Sequence, residues 1–132
     1  MKKIIIDTNF LMIPWQFKVD IFSEFDRICD FNYALFIYNG SIDELRNIIS
    51  ASKGKDKKAA QFALKLIKLK NIIVLKSEKK DVDSLILKNS DDSTIIATQD
   101  AILKKKLLEK GNSIIILRQK KYLQLIERKI YK

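Results

Sequence analysis

The sequence predicts an α/β protein in which a parallel sheet lies between two layers of helices. Short apolar runs that suit buried strands alternate with segments of helical periodicity along all 132 residues, as in chains built from βαβ units. The first run, Ile4-Ile5-Ile6, is entirely β-branched, as expected of a strand covered on both faces. We therefore expect one domain over residues 1–132, a three-layer α/β/α sandwich with a central five-stranded parallel sheet.

The other elements follow from the same two patterns. Apolar residues at helical spacing predict helices at residues 18–30, 41–52, 59–69, 81–89 and 102–110. Compact apolar runs predict strands at residues 33–38, 72–75, 94–98 and 113–117. Gly111 stands where a glycine commonly follows a helix. We expect residues 10–17 to form an apolar loop and residues 121–132 a closing basic helix.

The composition excludes several kinds of active site. The chain has no histidine and one cysteine, Cys29, which rules out disulfides, zinc ribbons and triads that contain histidine. Its three glycines are far apart, so it has no glycine-rich phosphate loop. No apolar run is long enough for a membrane span or a signal peptide, and we expect a cytoplasmic protein with no membrane partner. Hydrolysis would have to use carboxylates, Lys, Tyr, hydroxyl groups or a metal-bound water.

The charge is strongly basic and unevenly distributed. The net charge is +10, and residues 101–132 contain ten Lys and Arg against two Glu. Such a surface suits a polyanion, most simply nucleic acid, although a solvated lysine-rich surface has the same composition. The residues that we expect to contact RNA are Lys104, Lys105, Arg118, Lys120, Lys121 and Tyr122.

Four carboxylates are expected to meet at one edge of the sheet. Asp7 and Asp100 follow strands, Glu44 lies near the start of a helix, and Asp83 lies in the first turn of another. Unpaired carboxylates cannot crowd together without a cation, and oxygen ligands select hard ions such as Mg²⁺ or Mn²⁺. Carboxylate-held metal suits phosphodiester hydrolysis. In the alternative interpretations Asp7 is a turn former or helix cap, and Glu44 forms a capping box with Ser41.

The acidic segments resemble the four motifs of PIN-domain nucleases in their order and spacing. They are Asp7-Thr8-Asn9, Asp43-Glu44-Leu45, Asp83-Ser84-Leu85-Ile86 and Ala97-Thr98-Gln99-Asp100. The likeness is closer to the archaeal and eukaryotic rRNA-processing branch, where Asp7-Thr8-Asn9-Phe10, Val19-Asp20-Ile21-Phe22 and Ala97-Thr98-x-Asp100-x-x-Leu103 have counterparts.

This resemblance implies a Rossmann-like PIN fold, often dimeric, with metal-dependent endoribonuclease activity. It implies that Asp7, Glu44, Asp83 and Asp100 are the metal ligands, and that Thr8, Asn9 and Thr98 orient them. The chain departs from the family at Ser84, where a second acid is often found. Nearby acids do not fill that place: we expect Asp81 to cap a helix and Asp91-Asp92 to be solvated turn residues, and we expect Asp20 and Asp43 to be cap or surface residues.

Three functions remain open at this point. The chain could be an endoribonuclease of rRNA processing, the toxin ribonuclease of a toxin–antitoxin pair whose partner covers the acidic edge, or a non-catalytic RNA-binding factor of ribosome assembly. Trp15 and Phe17 could stack on unpaired bases, but an aromatic segment is more often core or a subunit contact.

Overall fold

The computed structural model describes residues 1–78 and 81–127. The strands are β1 (Lys2–Ile6), β2 (Tyr33–Tyr38), β3 (Ile73–Leu75), β4 (Thr94–Ala97), β5 (Ser113–Arg118) and β6 (Tyr122–Ile126). The α-helices are α1 (Ile13–Phe17), α2 (Ile21–Ile28), α3 (Asn39–Ala51), α4 (Lys55–Leu69), α5 (Val82–Asn89) and α6 (Ala101–Lys110), and a 3₁₀ helix, Thr8–Met12, joins β1 to α1.

The described residues form one sheet between two helical layers, which confirms the predicted sandwich. The strand order is β3-β2-β1-β4-β5-β6, and the first five strands are mutually parallel. Side chains alternate across β1: Ile4 and Ile6 face the core shared with α1, α2, α3 and α4, whereas Ile5 faces α5 and α6. This double burial explains the unbroken isoleucine run.

The prediction of a helix at residues 121–132 is wrong for residues 122–126, which form β6 antiparallel to β5; residues 128–132 lie outside the described part of the chain. Leu123 is buried between the exposed Tyr122 and Gln124, so the segment has the two-residue period of a strand. In the β5–β6 turn, residues 118–121, the Lys121 N–H donates to the Arg118 carbonyl at 2.9 Å. Arg118, Lys120 and Lys121 therefore lie on or beside the turn of a hairpin.

The amino-terminal loop prediction is also wrong. Residues 10–17 form the end of the 3₁₀ helix and α1, because Phe10 and Leu11 are fully buried and the segment packs into the core. Lys18 has a left-handed backbone, with φ of 57°, and it ends α1. The following helix therefore begins only at Ile21, after Asp20 accepts hydrogen bonds from the Phe22 and Ser23 N–H groups, as its expected cap role requires.

The capping box of Ser41 and Glu44, the alternative interpretation of Glu44, does not form. Helix α3 already begins at Asn39, and Ser41 lies inside it with no exposed surface. The Asn39 side chain instead accepts from the N–H groups of Gly40 and Ser77, both at 3.1 Å, and donates to the Ser77 carbonyl. Asn39 therefore ties the start of α3 to the segment that leads towards α5.

None of the helices within residues 1–78 and 81–127 is both long enough and apolar enough to cross a membrane.

Candidate active site at the carboxyl ends of the strands

The register of the two central strands brings Asp7 against Thr98. Ile6 pairs with Ala97, and the Asp7 N–H continues the ladder by donating to the Ala97 carbonyl at 2.9 Å. Asp7 follows Ile6 on one strand and Thr98 follows Ala97 on the other, so the two side chains are neighbours. The Thr98 hydroxyl donates to Asp7 Oδ2 at 2.8 Å. The Thr8 N–H donates to Asp7 Oδ1 at 2.9 Å. Asp7 is 5% exposed, so these bonds hold a buried carboxylate.

Asp100 belongs to the same unit as Asp7. Its backbone N–H donates to the Thr98 hydroxyl oxygen at 3.1 Å, so one buried hydroxyl links the two acids. Asp100 also caps α6, because its Oδ1 accepts from the Ile102 and Leu103 N–H groups at 2.9 and 3.0 Å. Thr98 and the cap together restrict where the Asp100 carboxyl can lie.

Glu44 reaches this site from α3. The hydroxyl oxygens of Thr8 and Ser41 lie 2.7 Å apart and share a buried hydrogen bond. Burial raises the pKa of the Glu44 carboxyl, the Thr8 hydroxyl lowers that pKa in part, and the charges of Asp7, Asp83 and Asp81 raise it further. Thr8 therefore connects the end of β1 with the acid on α3; its role in orienting metal ligands stays a prediction.

Asp83 completes the group from the first turn of α5. Burial raises the pKa of its carboxyl, the charges of Asp7, Asp100 and Asp81 raise it further, and Lys106 on α6 lowers it in part. Asp81 caps α5 as expected: its Oδ1 accepts from the Ser84 backbone N–H at 3.4 Å, and its Oδ2 accepts from the Ser84 hydroxyl at 2.7 Å. Ser84, which stands where PIN-domain nucleases often have a second acid, therefore helps to stabilise the start of α5.

The buried member of the group is Asp7. Burial raises the pKa of its carboxyl, the hydrogen bonds from Thr98 and Thr8 lower that pKa in part, and the charge of Asp100 raises it again. Glu44 and Asp83 are exposed as whole residues, yet partial burial of both carboxyl groups raises their pKa, and the charges of the neighbouring acids raise it further. We call Asp7, Glu44, Asp83 and Asp100 the acidic site.

The acidic site has the donor set of a hard divalent ion, four carboxylates that repel one another when charged. Within residues 1–78 and 81–127, however, no three acidic side chains stand close enough to hold one ion in common. Mutual repulsion favours this spread arrangement. Glu44 and Asp83 have exposed side chains that can rotate towards Asp7, so the residues fit a metal whose binding would draw them together.

Two residues at this site carried no sequence signal that singled them out. Ser41 was interpreted as a helix cap, although its position three residues after a strand could have placed it at the sheet edge. Lys106 lies six residues after Asp100, and its charge acts on Asp83. Asn9, expected to orient the ligands, lies in the 3₁₀ helix with an exposed side chain.

The residues expected to contact RNA lie on two elements. Lys104 and Lys105 are on α6, whose first residue follows Asp100. The others, Arg118, Lys120, Lys121 and Tyr122, lie on or beside the β5–β6 turn. Since β5 is parallel to β4, this turn is at the same edge of the sheet as the acidic site. Asp91 and Asp92 lie before β4, at the opposite edge, and are exposed as predicted.

Comparison with known proteins agrees with this geometry. A family model described as a PIN-like domain matches residues 4–120. Ribonuclease VapC4 of Methanocaldococcus jannaschii is 31% identical over 127 residues, covering 95% of this chain and 97% of the relative. Ribonuclease VapC9 of Archaeoglobus fulgidus is 31% identical over 118 residues, covering 89% of this chain and 84% of the relative.

Solved structures show the same fold. The PIN domain endonuclease Utp24 superimposes with a TM-score of 0.77 at 22% identity, over 97% of this chain and 92% of that one. A domain of a functionally unknown protein from Methanocaldococcus jannaschii gives a TM-score of 0.62 at 16% identity, over 100% and 98% of the two chains. With the family match over most of its length, the chain belongs to the PIN-like domain family.

Proposed function

We propose that this chain is a metal-dependent endoribonuclease that hydrolyses RNA phosphodiester bonds at the acidic site. The observation that carries the proposal is that acids from four separate parts of the chain act on one another's charge at one edge of the sheet. The similarity to two ribonucleases over most of the chain supports it.

The metal is Mg²⁺ or Mn²⁺, and when bound it would supply an activated water and a counter-charge for the leaving oxygen. Asp7, Glu44, Asp83 and Asp100 would hold it. Thr98 and the Thr8 N–H keep the Asp7 carboxylate oriented, and the pair of Thr8 and Ser41 does the same beside Glu44.

The basic residues of the proposed RNA contact are Lys104 and Lys105 on α6, with Arg118, Lys120 and Lys121, beside Tyr122, at the β5–β6 turn. Helix α6 begins next to Asp100, and the turn lies at the same edge of the sheet, so both groups would hold the phosphate backbone beside the bond being cut.

A toxin ribonuclease controlled by an antitoxin is the biological role that we favour. Both curated relatives bear the name VapC, and each matches this chain over most of its length. Action on rRNA or its precursor is the second candidate; the likeness to Utp24, at 22% identity, concerns the fold. A non-catalytic assembly factor is disfavoured because all four acids are retained. We also propose that the protein acts as a homodimer in the cytoplasm.

The test is cleavage of labelled structured RNA by the purified protein with Mn²⁺ or Mg²⁺, and with a chelator. Asp7→Asn and Asp100→Asn should abolish cleavage, because each removes a charged metal ligand. Asp92→Asn, which removes the same charge from the opposite edge of the sheet, should cleave normally. Equal cleavage by all four proteins, or cleavage that persists in chelator, would contradict the metal-site proposal.

The toxin role is tested in cells. Expression of the wild-type chain in a bacterial host should arrest growth, and Asp7→Asn should not, with mapped RNA ends identifying the target. Normal growth together with cleavage confined to an rRNA precursor would favour the processing role instead.

A further inference from the structure

A second surface with chemistry suited to nucleic acid lies outside the acidic site. An open groove of about 690 Å³ runs between the end of α1 and the start of α4. Its walls include two aromatic residues, three lysines and one acid: Trp15, Phe17, Lys18, Lys55, Lys58 and Asp56. We call it the basic groove. The positive side chains outnumber the acid, so the groove attracts anions.

Trp15 presents a ring that a flat ligand could cover. The indole is half-buried, and its centroid lies 5.9 Å from that of Phe62 at an interplanar angle of 55°. Lys18 Nζ lies 4.1 Å from the Trp15 ring centroid. That face of the indole is therefore covered by a flexible side chain rather than by core residues, and Lys18 can move aside without disturbing the fold.

The start of α4 adds polar groups to the same groove. Gly54 is the N-cap residue of α4, and no side chain caps the helix there. The N–H groups of the first turn favour negative charge, and Lys55 and Lys58 project from this turn. One wall of the groove thus offers a stacking surface and the other offers anion contacts.

The β5–β6 turn lies between the basic groove and the strand that leads into the acidic site. Lys120 Nζ, in the β5–β6 turn, lies 5.8 Å from the Phe17 ring centroid, so that turn adjoins the groove. The turn follows β5, which pairs with β4, and β4 leads into Thr98 and Asp100. A polymer crossing the acidic site could therefore pass the turn and enter the groove.

We propose that the basic groove binds a single-stranded segment of the RNA substrate beside the cleaved bond, with a base stacked on Trp15 and phosphates held by Lys18, Lys55 and Lys58. This inference rests on the proposed function for the identity of the polymer. A base stacks on indole more strongly than an exposed ammonium does, so the base displaces Lys18, which then pairs with a phosphate. An apolar protein segment fits less well, because it would bury three ammonium groups without supplying carboxylates to pair with them.

The test exploits the fact that Trp15 is the only tryptophan. Metal-free full-length protein in chelator is titrated with a single-stranded oligouridine of about twelve nucleotides, within the usual range of site sizes. Stacking should quench the Trp15 emission. Trp15→Leu should weaken binding of the labelled oligonucleotide about tenfold, the loss expected for one stacked base.

Charge is tested separately with surface variants of one helix. Lys55→Ala/Lys58→Ala should lower the slope of log affinity against log salt by about 1.4, since each lost single-strand phosphate contact is worth about 0.7. Lys65→Ala/Lys68→Ala removes the same charge from exposed positions farther along α4, and we expect it to behave as wild type.

The proposal is overturned if oligouridine leaves the Trp15 emission unchanged and binds both double variants equally. It is also overturned if an acidic peptide quenches Trp15 and oligouridine does not, because the groove would then bind a protein. The two experiments fail in distinguishable ways: a protein that cleaves RNA without using the groove refutes this inference alone, whereas quenching without cleavage refutes the nuclease proposal and leaves the groove as a site for single-stranded RNA that is not a substrate.

Discussion

Thr98→Val tests whether one buried hydroxyl holds the Asp7 carboxylate and the Asp100 backbone together. Thr98 is fully buried, and valine has nearly the same shape, so the substitution removes hydrogen bonds without opening a cavity. A bond to a charged carboxylate is worth about 2 kcal/mol and a bond between neutral groups about 1 kcal/mol. We therefore expect a loss of about 3 kcal/mol near neutral pH, or about 12 °C in Tm for a domain of this size.

The cost of Thr98→Val should depend on pH. Burial holds the pKa of Asp7 above its ordinary range, so Asp7 in the folded protein takes up its proton at a higher pH than in the unfolded chain. The charge-assisted bond from Thr98 is present above the folded pKa of Asp7 and is lost as the pH falls through it. At about pH 4, near the ordinary Asp pKa, the bond to the protonated carboxyl is worth no more than a neutral one, and we expect the cost of the substitution to fall towards about 2 kcal/mol.

Urea unfolding at about pH 7.5 and about pH 4, on either side of the expected transition, measures both costs. Thr98→Ser is the matched control: it keeps the hydroxyl and loses one buried methyl group, so its cost should be similar at the two pH values. If Thr98→Val destabilises the protein equally at both, the hydroxyl does not hold a charged Asp7, and the account of the site's electrostatics is wrong.

Three further outcomes are expected. Metal-free protein should lose stability by calorimetry as the pH rises from about 4.5, near the ordinary carboxyl pKa, through the raised folded pKa values of Asp7, Glu44 and Asp83, because in that range the folded state binds protons that the unfolded chain has released; Mn²⁺ at about a hundredfold its Kd should add about 2.7 kcal/mol. Glu24→Leu should speed hydrogen exchange at the Leu123 amide, whose N–H donates to Glu24 Oε1 at 2.9 Å, with unchanged exchange counting against this edge contact. Gly111→Ala should lower the free energy of unfolding in urea by about 1–2 kcal/mol, because the φ of Gly111 is 98°. An unchanged free energy would show that this position does not need glycine.

The sequence predicted the layers and the central strands because their signals are local. An unbroken Ile4-Ile5-Ile6 run is compatible with few environments other than a doubly covered strand. Once β1 and β4 are parallel neighbours, Asp7 and Asp100 must emerge at one edge, so topology alone places them near each other. Two members of the acidic site are therefore predictable from strand order and strand direction, without knowledge of any side-chain contact.

The errors fall where distant contacts override local patterns. The β6 strand was interpreted as helix because its short alternation, Leu123 and Leu125 inward, is masked by basic neighbours. Backbone groups of β6 that do not pair with β5 bond to side chains of α2: Arg27 donates to the Leu123 carbonyl at 2.8 Å, and Glu24 accepts from the Leu123 N–H. Such contacts, nearly a hundred residues apart, have no signature in a local window.

The alternative interpretation of Ser41 and Glu44 as a capping box fails for the same reason, and the failure bears on how the acidic site assembles. Ser41 bonds to Thr8, 33 positions away, so a hydroxyl that could have capped a helix instead supports the Glu44 side of the site. Asp7 is held by Thr8 and Thr98.

Asp100 is held in turn by its helix cap, so the two strand-end acids are oriented without a metal. Glu44 and Asp83 are exposed and repel their neighbours, and the metal that we propose would decide their final positions. Metal binding would therefore order only the Glu44 and Asp83 side chains, since those of Asp7 and Asp100 are already restrained. The loss of side-chain conformational entropy on binding would then come from two of the four proposed ligands.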